Sequence, residues 1–228
     1  MRNGTREKRE LQRKTVLDAA AKLFSERGFG GTSLGDIAKA LNISRPALYY
    51  YFSSKDEILS SLVDRVSVYS MKMIHEIMSK DLDPVTKLHD ISYNQLIFIL
   101  RNQLSYMVVV KTEEDLIAET KRMNGIAKRG VFEGFRSVIE AGQASGHFRQ
   151  GDSAVMALGI IGMCSWCAWW YRGDGRSGEH EVAEQLSQMA LMSVLKSDNP
   201  ANVRNGIDSA VNTLEEVLDQ LRSFQRQC

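Results

Sequence analysis

The chain has 228 residues, enough for one large domain or for a small domain joined to a larger one, and its three prolines leave long stretches of helix-forming residues. Its charge is uneven: residues 1–55 contain eleven Lys and Arg against five Asp and Glu, a net +6, whereas the rest carries −5, as expected when a basic module that meets phosphates is attached to an acidic body. Three cysteines exclude a disulfide framework and the polar, basic start does not resemble a signal peptide, so we expect a cytoplasmic protein.

The first predicted helix follows a basic arm. Residues 1–11 are polar and charged without apolar spacing, and we interpret them as a flexible arm. The arm either enters a minor groove of DNA or has no ordered contact, and the second interpretation is favoured. From residue 12 the sequence predicts a helix that Gly28 ends. Its apolar stripe consists of Val16, Ala19, Ala20, Leu23 and Phe24.

Two short helices are predicted next, and each has a capping residue. Ser33 precedes the second helix, with Asp36 three residues further on in a capping-box position. Ser44 precedes a third helix over 45–51, in which Pro46 occupies the first turn, where proline is tolerated.

The rest of the chain is also predicted to be helical. A capping box at Ser54 and Glu57 opens a fourth helix that continues to Lys80. Further helices are predicted at 84–101, 104–111, 114–145, 152–172, 178–196 and 202–226. The expected fold is therefore all-α, with a three-helix domain at 12–56 and a larger helical domain at 57–228. The last helix either packs on this larger domain or extends a dimer interface.

The three-helix domain has the arrangement of a helix-turn-helix, whose second short helix enters the major groove of DNA. The segment Thr32–Glu57, TSLGDIAKALNISRPALYYYFSSKDE, closely resembles the DNA-binding signature of the TetR family (TetR/AcrR type) of transcriptional regulators. This resemblance implies a sequence-specific repressor, not an enzyme, that binds a palindromic operator in double-stranded DNA as a homodimer and is released by a small-molecule effector.

The resemblance also implies which residues contact DNA. They are Thr32, Ser33, Ser44, Arg45, Pro46, Ala47, Tyr49, Tyr50 and Lys55. Thr32, Ser44 and Lys55 are expected to hold phosphates near helix N-termini, where free N–H groups favour an anion. Arg45 can bond a guanine through two hydrogen bonds, and Ala47 can contact a thymine methyl. The alternative is that the arginine and the tyrosine pair are ordinary exposed side chains.

The dimer interface is predicted on the helices at 152–172 and 178–196, which in the family pair with their copies as a four-helix bundle. The candidate interface residues are Gly159, Gly162, Val182, Leu186, Met189 and Ala190. The two glycines would permit a close approach of helices, and the others form an apolar stripe. The competing interpretation buries these helices inside a single chain. An uncharged run from Ala154 to Tyr171 is long enough to approach a membrane span, but we favour a buried helix and expect no membrane contact.

The larger domain contains residues suited to a pocket for a lipophilic effector. The candidates are Phe98, Tyr106, Met123, Phe132, Phe135, Met163, Trp166, Trp169, Trp170, Arg172 and Arg176. Aromatic residues and methionines at helical spacing are usually core, so most of these residues are expected to be packing.

A local pattern suggests the effector class. Trp169 to Arg176, WWYRGDGR, resembles a W-x-Y-R-P-G-G-R stretch of TetR-type regulators of fatty-acid and steroid catabolism that sense CoA thioesters, although Gly173 stands where proline is usual. Arg172 and Arg176 would then bind CoA phosphates. Alternatively these arginines only stabilise a helix C-terminus.

Catalysis and metal binding are not expected. Cys164 and Cys167 form a C-x-x-C, but no second pair or suitably spaced histidine accompanies it. No Ser/His/Asp set or phosphate-binding glycine loop is evident, so we expect no cofactor. Two alternatives to an acyl-CoA-responsive repressor stay open: a multidrug-type TetR sensor that controls an efflux gene, and a CoA-ester-binding enzyme or carrier.

Overall fold

The computed structural model describes residues 2–196, and the fold over this range is built from helices. They are α1 Arg2–Arg27, α2 Leu34–Ala40, α3 Arg45–Tyr49, α4 Lys55–Val63, α5 Tyr69–Met78, α6 Pro84–Arg101, α7 Gln103–Lys111, α8 Ala118–Ala144, α9 Ser153–Trp170 and α10 Glu179–Val194. The all-α prediction is confirmed. The helix predicted at 202–226 and the terminal Cys228 lie outside the described residues.

The first three helices form a small domain whose geometry is set by local capping. Ser33 and Asp36 make the predicted capping box on α2, and the Ser44 hydroxyl accepts a hydrogen bond from the Ala47 amide at the start of α3. Between the two helices Asn42 adopts a left-handed backbone conformation, with φ of 52°. The small core of this domain includes the fully buried Ile37 and Leu48. Capping and turn chemistry between neighbouring residues therefore favour the observed arrangement of α2 and α3.

The prediction of a flexible arm at 1–11 is wrong for residues 2–11, because α1 begins at Arg2. Residues 6–11 are all Arg, Glu, Lys or Leu, which have high helix propensity, so the helix continues toward the N-terminus beyond its apolar stripe. The extension also has a contact: the Arg9 guanidinium lies over the Tyr50 ring, 5.3 Å from its centre. The basic residues therefore lie on a helix that reaches the end of α3.

The predicted fourth helix is divided into two helices. A π-helical turn, Asp64–Val68, joins α4 to α5, and a 3₁₀ turn, Glu113–Asp115, precedes α8 where the sequence predicted one long helix from residue 114. Single π-helical turns are often found at functional sites, since they redirect the side chains that follow. Two residues of the π-helical turn, Val66 and Ser67, line the cavity described below.

The larger domain is organised around α6, which packs against α8, α9 and α10. Its inward face is fully buried and includes Leu88, Ile91, Leu96 and Ile99. Helix α7 connects the two domains, because its Val108 and Val109 belong to the same buried cluster as Ala20 of α1. The body and α1 are thus joined through close-packed side chains.

Close packing near the end of α8 gives a prediction about stability. A Cβ atom built on Gly142 would lie 2.0 Å from the ring of Phe148, which is buried in the body core. We therefore expect Gly142→Ala to lower the free energy of unfolding by about 1–3 kcal/mol, since the ring must move out of a close-packed core. Thermal or urea unfolding measures the change.

Gly125 on the same helix provides the matched control. A Cβ atom there would meet no atom within 4 Å. Gly125→Ala should therefore be neutral or should stabilise by up to about 1 kcal/mol through helix propensity. Equal effects of the two substitutions would contradict the packing argument.

Candidate DNA interface and ligand cavity

Helix α3 presents the predicted DNA-reading side chains on one exposed face. Arg45 and Pro46 are exposed, and Tyr49 and Tyr50 expose 54% and 66% of their surface. Leu48 points the opposite way and is fully buried, which fixes the rotation of the helix. Adjacent tyrosines with this exposure are unusual on a free surface, and their rings and hydroxyls match what sugar and phosphate groups bind.

The Arg45 guanidinium lies over the backbone of α2. A Cβ atom on Gly35 would come within 2.7 Å of its Nη2. The absence of a side chain at Gly35 therefore leaves room for the arginine between α2 and α3. This close approach gives the glycine a role that the sequence alone did not indicate.

A polar groove beside α3 contains several of the predicted phosphate-binding residues. It is lined by residues 30–36 together with Arg45, Tyr49 and Lys55. Ser33 is exposed at its edge, and the Lys55 Nζ donates a hydrogen bond to the Phe29 carbonyl oxygen at 2.8 Å. Ser44 is exposed at the start of α3. Hydroxyls, a cation and a helix N-terminus are thus placed where a DNA backbone would pass.

The predicted phosphate contact of Thr32 is not supported by the structure. Its side chain is buried, and its hydroxyl lies 2.9 Å from the Gly28 carbonyl oxygen and 3.3 Å from that of Leu23. The hydroxyl therefore hydrogen-bonds to carbonyl groups at the C-terminal end of α1 and is not directed outward, where a phosphate would bind. Sequence position alone suggested the phosphate contact, since the buried environment depends on how α1 packs behind the loop.

Arg13 of α1 positions the end of α3 and was missed by the sequence analysis. Its guanidinium donates to the Tyr51 carbonyl oxygen, stacks 4.1 Å from the centre of the Phe52 ring and lies 3.8 Å from a carboxylate oxygen of Glu57. One side chain thus connects α1, the end of α3 and the start of α4. No local motif identifies this residue, because its partners are about forty residues away in the chain.

The larger domain contains a partly open cavity of about 250 Å³. Helices α5 to α9 and the π-helical turn all contribute to its wall. Tyr106, Phe132 and Phe135, three of the predicted pocket residues, line it. Its complete lining is Val66, Ser67, Ser70, Gln95, Tyr106, Lys128, Val131, Phe132, Phe135, Leu158, Ile161, Cys164 and Ser165. The cavity is mainly apolar with a few polar groups, as sites for small organic molecules are.

Apart from Tyr106, the polar residues of the cavity were missed by the sequence analysis. Ser67 donates to the Asn124 side chain at 2.6 Å, and the Tyr106 hydroxyl donates to Ser165 at 2.8 Å. Burial raises the pKa of Tyr106, so its hydroxyl stays protonated at neutral pH. Ser70 and Gln95 also line the cavity. A serine and a glutamine on the inner faces of apolar helices are the signal that could have identified this lining.

Eight other predicted pocket residues do not line this cavity. Phe98 and Met123 border a separate open groove, in which Phe98 stacks on Tyr69. Met163 packs against the body core. Trp166, Trp169 and Trp170 are 65%, 39% and 46% exposed, and Arg172 and Arg176 are exposed beyond the end of α9. Helix α9 is apolar on every side, so its sequence gave no indication of which face is buried.

The tryptophans instead belong to an apolar stripe, which we call the α9 outer face. It consists of Val155, Leu158, Gly159, Gly162, Trp166, Trp169 and Trp170, all of them exposed. Both predicted glycines lie on it, and a Cβ atom at either would meet no atom within 4 Å. A contiguous exposed apolar surface of this kind is typical of an association site.

Three of the four α10 residues predicted at the dimer interface pack inside the chain instead. Val182 and Ala190 are buried within the chain, and Leu186 packs against the same core. Of the four residues predicted on this helix, only Met189 is exposed, on the same side as Met192. The predicted apolar stripe is the inward face of α10, packed on α6, and the outward face is shorter and more polar.

One turn of helix joins the cavity to the DNA-binding domain. Val66 and Ser67 of the π-helical turn line the cavity. Arg65 in the same turn forms an ion pair with Asp18 of α1, and its Nε and Nη2 donate to the Asn102 side chain at 3.2 and 2.9 Å. Arg65 therefore links this wall of the cavity, the start of α7 and the helix that supports α3.

Both cysteines of the C-x-x-C pair are buried, and one of them lies in the wall of the cavity. Cys164 is buried and lines the cavity, and the Cys167 thiol lies 2.9 Å from the Cys164 carbonyl oxygen. Burial raises the pKa of both thiols, that of Cys167 to about 12. Protonated thiols are poor nucleophiles and poor metal ligands, which is consistent with a packing role.

A helix-turn-helix with an exposed reading face, joined through α7 to a helical body that contains a mainly apolar cavity, defines a ligand-responsive DNA-binding regulator. Two family models match the chain: "Bacterial regulatory proteins, tetR family" over residues 16–62, and "Tetracyclin repressor-like, C-terminal domain" over residues 81–194. The chain belongs to the TetR family of transcriptional regulators, which are DNA-binding proteins and not enzymes.

Individual relatives agree with this assignment. The HTH-type transcriptional repressor KstR2 of Rhodococcus jostii is 29% identical over 187 residues, which cover 79% of this chain and 89% of the relative. The structure of the ketosteroid transcriptional regulator KstR2 of Mycobacterium tuberculosis has a TM-score of 0.75 at 21% identity, covering 82% of this chain and 96% of that one. AibR in complex with isovaleryl coenzyme A and operator DNA has a TM-score of 0.66 at 21% identity, with coverages of 78% and 96%.

Proposed function

We propose that this TetR-family regulator is a cytoplasmic homodimeric repressor that leaves a palindromic operator when an acyl-CoA thioester enters the cavity of the larger domain. The observation that carries the proposal is a mainly apolar cavity of about 250 Å³. The π-helical turn that supplies Val66 and Ser67 to its lining also carries Arg65, which forms an ion pair with Asp18 of α1. The relatives add support: KstR2 is a ketosteroid regulator, and AibR binds isovaleryl coenzyme A and operator DNA.

The size of the cavity determines which part of such an effector it holds. Sites that bury an entire drug-sized ligand measure about 300–1,000 Å³, so this cavity accommodates an acyl group and excludes the nucleotide of CoA. Lys128 lies at its edge with an exposed ammonium group, held 2.9 Å from Glu113. This lysine supplies a positive charge where an anionic part of the effector would emerge, and Arg172 and Arg176 remain candidates for contacts further out.

The route of the allosteric signal follows from the π-helical turn. An acyl group in the cavity would contact Val66 and Ser67, and any displacement of that turn moves Arg65 relative to Asp18. A ligand shifts an equilibrium only through unequal affinity for the two states, and a coupling of about 1–3 kcal/mol changes operator affinity about 5–150-fold.

The α9 outer face is proposed as the dimer interface. Two recognition helices must lie about 34–36 Å apart to enter successive major grooves, which requires a fixed contact between two bodies. By length and composition alone α9 could cross a membrane, and a third of it is buried in the chain. Association of two copies through this face would cover the exposed tryptophans and leave α3 of each copy free for DNA.

Substitution of Gly162 tests this interface. A Cβ atom there meets nothing within 4 Å, so Gly162→Arg should leave the single chain folded. It should convert the dimer to a monomer, since a charged side chain at a close helix contact would be buried unpaired. Light scattering after size-exclusion chromatography gives the mass, and Gly125→Arg on α8 is the control. A dimer that persists in Gly162→Arg would exclude the α9 outer face.

The proposed function is tested by selecting operator sequences from random duplex DNA with the purified protein, followed by titration with acyl-CoA thioesters, the matching free acids and CoA alone. We expect an enriched palindrome that only the thioesters release. Release by structurally unrelated lipophilic cations would instead support the second candidate, a multidrug-type sensor. That candidate is favoured by one observation: among residues 2–196, no arginine lines the cavity. A palindrome that neither class releases would overturn the proposed effector.

A further inference from the structure

Two polar side chains in the cavity have no hydrogen-bond partner within the described part of the chain. They are the Ser70 hydroxyl of α5 and the Gln95 amide oxygen of α6. Ser70 is 3% exposed and Gln95 is 7% exposed, and both line the cavity. A buried polar atom without a partner is unfavourable by about 1–3 kcal/mol, so two of them facing one cavity need an explanation.

Their surroundings show that the other hydrogen-bonding groups of the cavity are already paired. Ser67 bonds to Asn124, Tyr106 to Ser165, and Lys128 at the edge to Glu113. Among the polar lining residues of the described part of the chain, Ser70 and Gln95 are the ones with a buried polar atom that has no partner. Polar groups left unpaired in a binding cavity are characteristic of sites that recognise a hydroxyl or carbonyl on their ligand, because an analogue without that group leaves them unpaired.

We propose that Ser70 and Gln95 bind an oxygen substituent on the buried part of the effector, so that the cavity selects a hydroxylated or keto-substituted acyl group over a plain hydrocarbon chain. The inference rests on the proposed function for the thioester part of the effector. The hydrogen bonds themselves require only that the ligand enters this cavity. Ser70 can donate to a carbonyl or accept from a hydroxyl, and the Gln95 amide offers both a donor and an acceptor.

The matched probes are octanoyl-CoA and its monohydroxylated forms, with the hydroxyl placed on each chain carbon in turn. Binding is measured by titration calorimetry in the absence of DNA. At least one hydroxyl position should increase affinity about tenfold over octanoyl-CoA, as expected when one well-placed hydrogen bond satisfies a buried group. Ser70→Ala and Gln95→Met should each bring the ratio of the two affinities, hydroxylated form over octanoyl-CoA, close to one.

Ser92 supplies a matched control. Its hydroxyl is also buried and unpaired on α6, but Ser92 does not line the cavity. Ser92→Ala should therefore leave the preference for the hydroxylated probe intact. In the absence of any ligand, all three substitutions should keep or raise the unfolding midpoint, since each removes a buried polar atom without a partner. A lower midpoint for Ser70→Ala and Gln95→Met would show that these side chains have a structural partner and would overturn the inference.

The outcomes separate this inference from the proposed function. If no thioester binds but free octanediols bind more tightly than octanol, with the difference lost in the two variants, the hydrogen-bonding role holds and the CoA part fails. If octanoyl-CoA binds and no hydroxylated form binds more tightly, the proposed function holds and the inference is overturned. A preference that persists unchanged in both variants also overturns it, because other groups would then bind the oxygen.

Discussion

Arg45→Ala is expected to lower affinity for the selected operator about 10- to 100-fold and to weaken discrimination between bases. Arg45 is exposed at the start of α3, its guanidinium lies over Gly35, and the same face carries Tyr49 and Tyr50. A guanidinium that bonds a guanine through two hydrogen bonds accounts for about 1–3 kcal/mol of discrimination. Fluorescence anisotropy with the operator and with a scrambled duplex, over a series of salt concentrations, measures both quantities.

The salt series distinguishes a base contact from a phosphate contact. Loss of one phosphate contact reduces the slope of log affinity against log salt by about one, whereas loss of a base contact mainly reduces the preference for the operator. Arg129→Ala removes the same charge from an exposed site on α8 and should leave operator binding unchanged. An Arg45→Ala protein that binds operator and scrambled duplex with the wild-type ratio would exclude base recognition by this residue.

The DNA-binding domain could be predicted closely from the sequence because its structure is set by short-range chemistry. The capping box at Ser33 and Asp36 and the cap at Ser44 involve residues at most three apart, and the structure contains all of these contacts. Thr32 and Arg13 could not be assigned in the same way. Thr32 is buried by α1 packing behind it, and the partners of Arg13 lie near residues 51 and 57.

The body was predicted less well because its helices are apolar on more than one side. The α9 sequence does not indicate which side of the helix is buried. The tryptophans were therefore predicted to line a pocket, although they lie on the exposed α9 outer face. On α10 the apolar stripe was correct, but the structure packs it on α6 and not on a second copy. Periodicity identifies a buried face without identifying what covers it.

The cavity depends on an irregularity that periodicity does not detect. The helix predicted from Ser54 to Lys80 contains a π-helical turn at Asp64–Val68, and this turn directs Val66 and Ser67 at the cavity while Arg65 reaches α1. One residue more or fewer in that turn would rotate all of α5 and would move Ser70. The connection between ligand and DNA-binding domain is therefore a property of the tertiary structure.

Arg65→Met is expected to separate ligand binding from operator release. The variant keeps an unbranched, flexible side chain and loses the ion pair with Asp18 and the two hydrogen bonds to Asn102. The side chain is not part of the cavity lining, so effector affinity in the absence of DNA should be close to wild type. The ratio of operator affinities without and with effector should fall from about 5–150-fold toward one.

A closed thermodynamic cycle measures this ratio in both directions. Because coupling is reciprocal, operator DNA should also lose its effect on effector affinity in Arg65→Met by the same factor. Arg101→Met is the matched control, since Arg101 pairs with Glu179 of α10 and therefore links α6 to α10, not to α1. It should retain the full ratio. If Arg65→Met also retains the full ratio, Arg65 does not carry the signal. The signal then reaches α1 through the packed Val108 and Val109 of α7, and a substitution that reduces this packing should abolish effector-induced release.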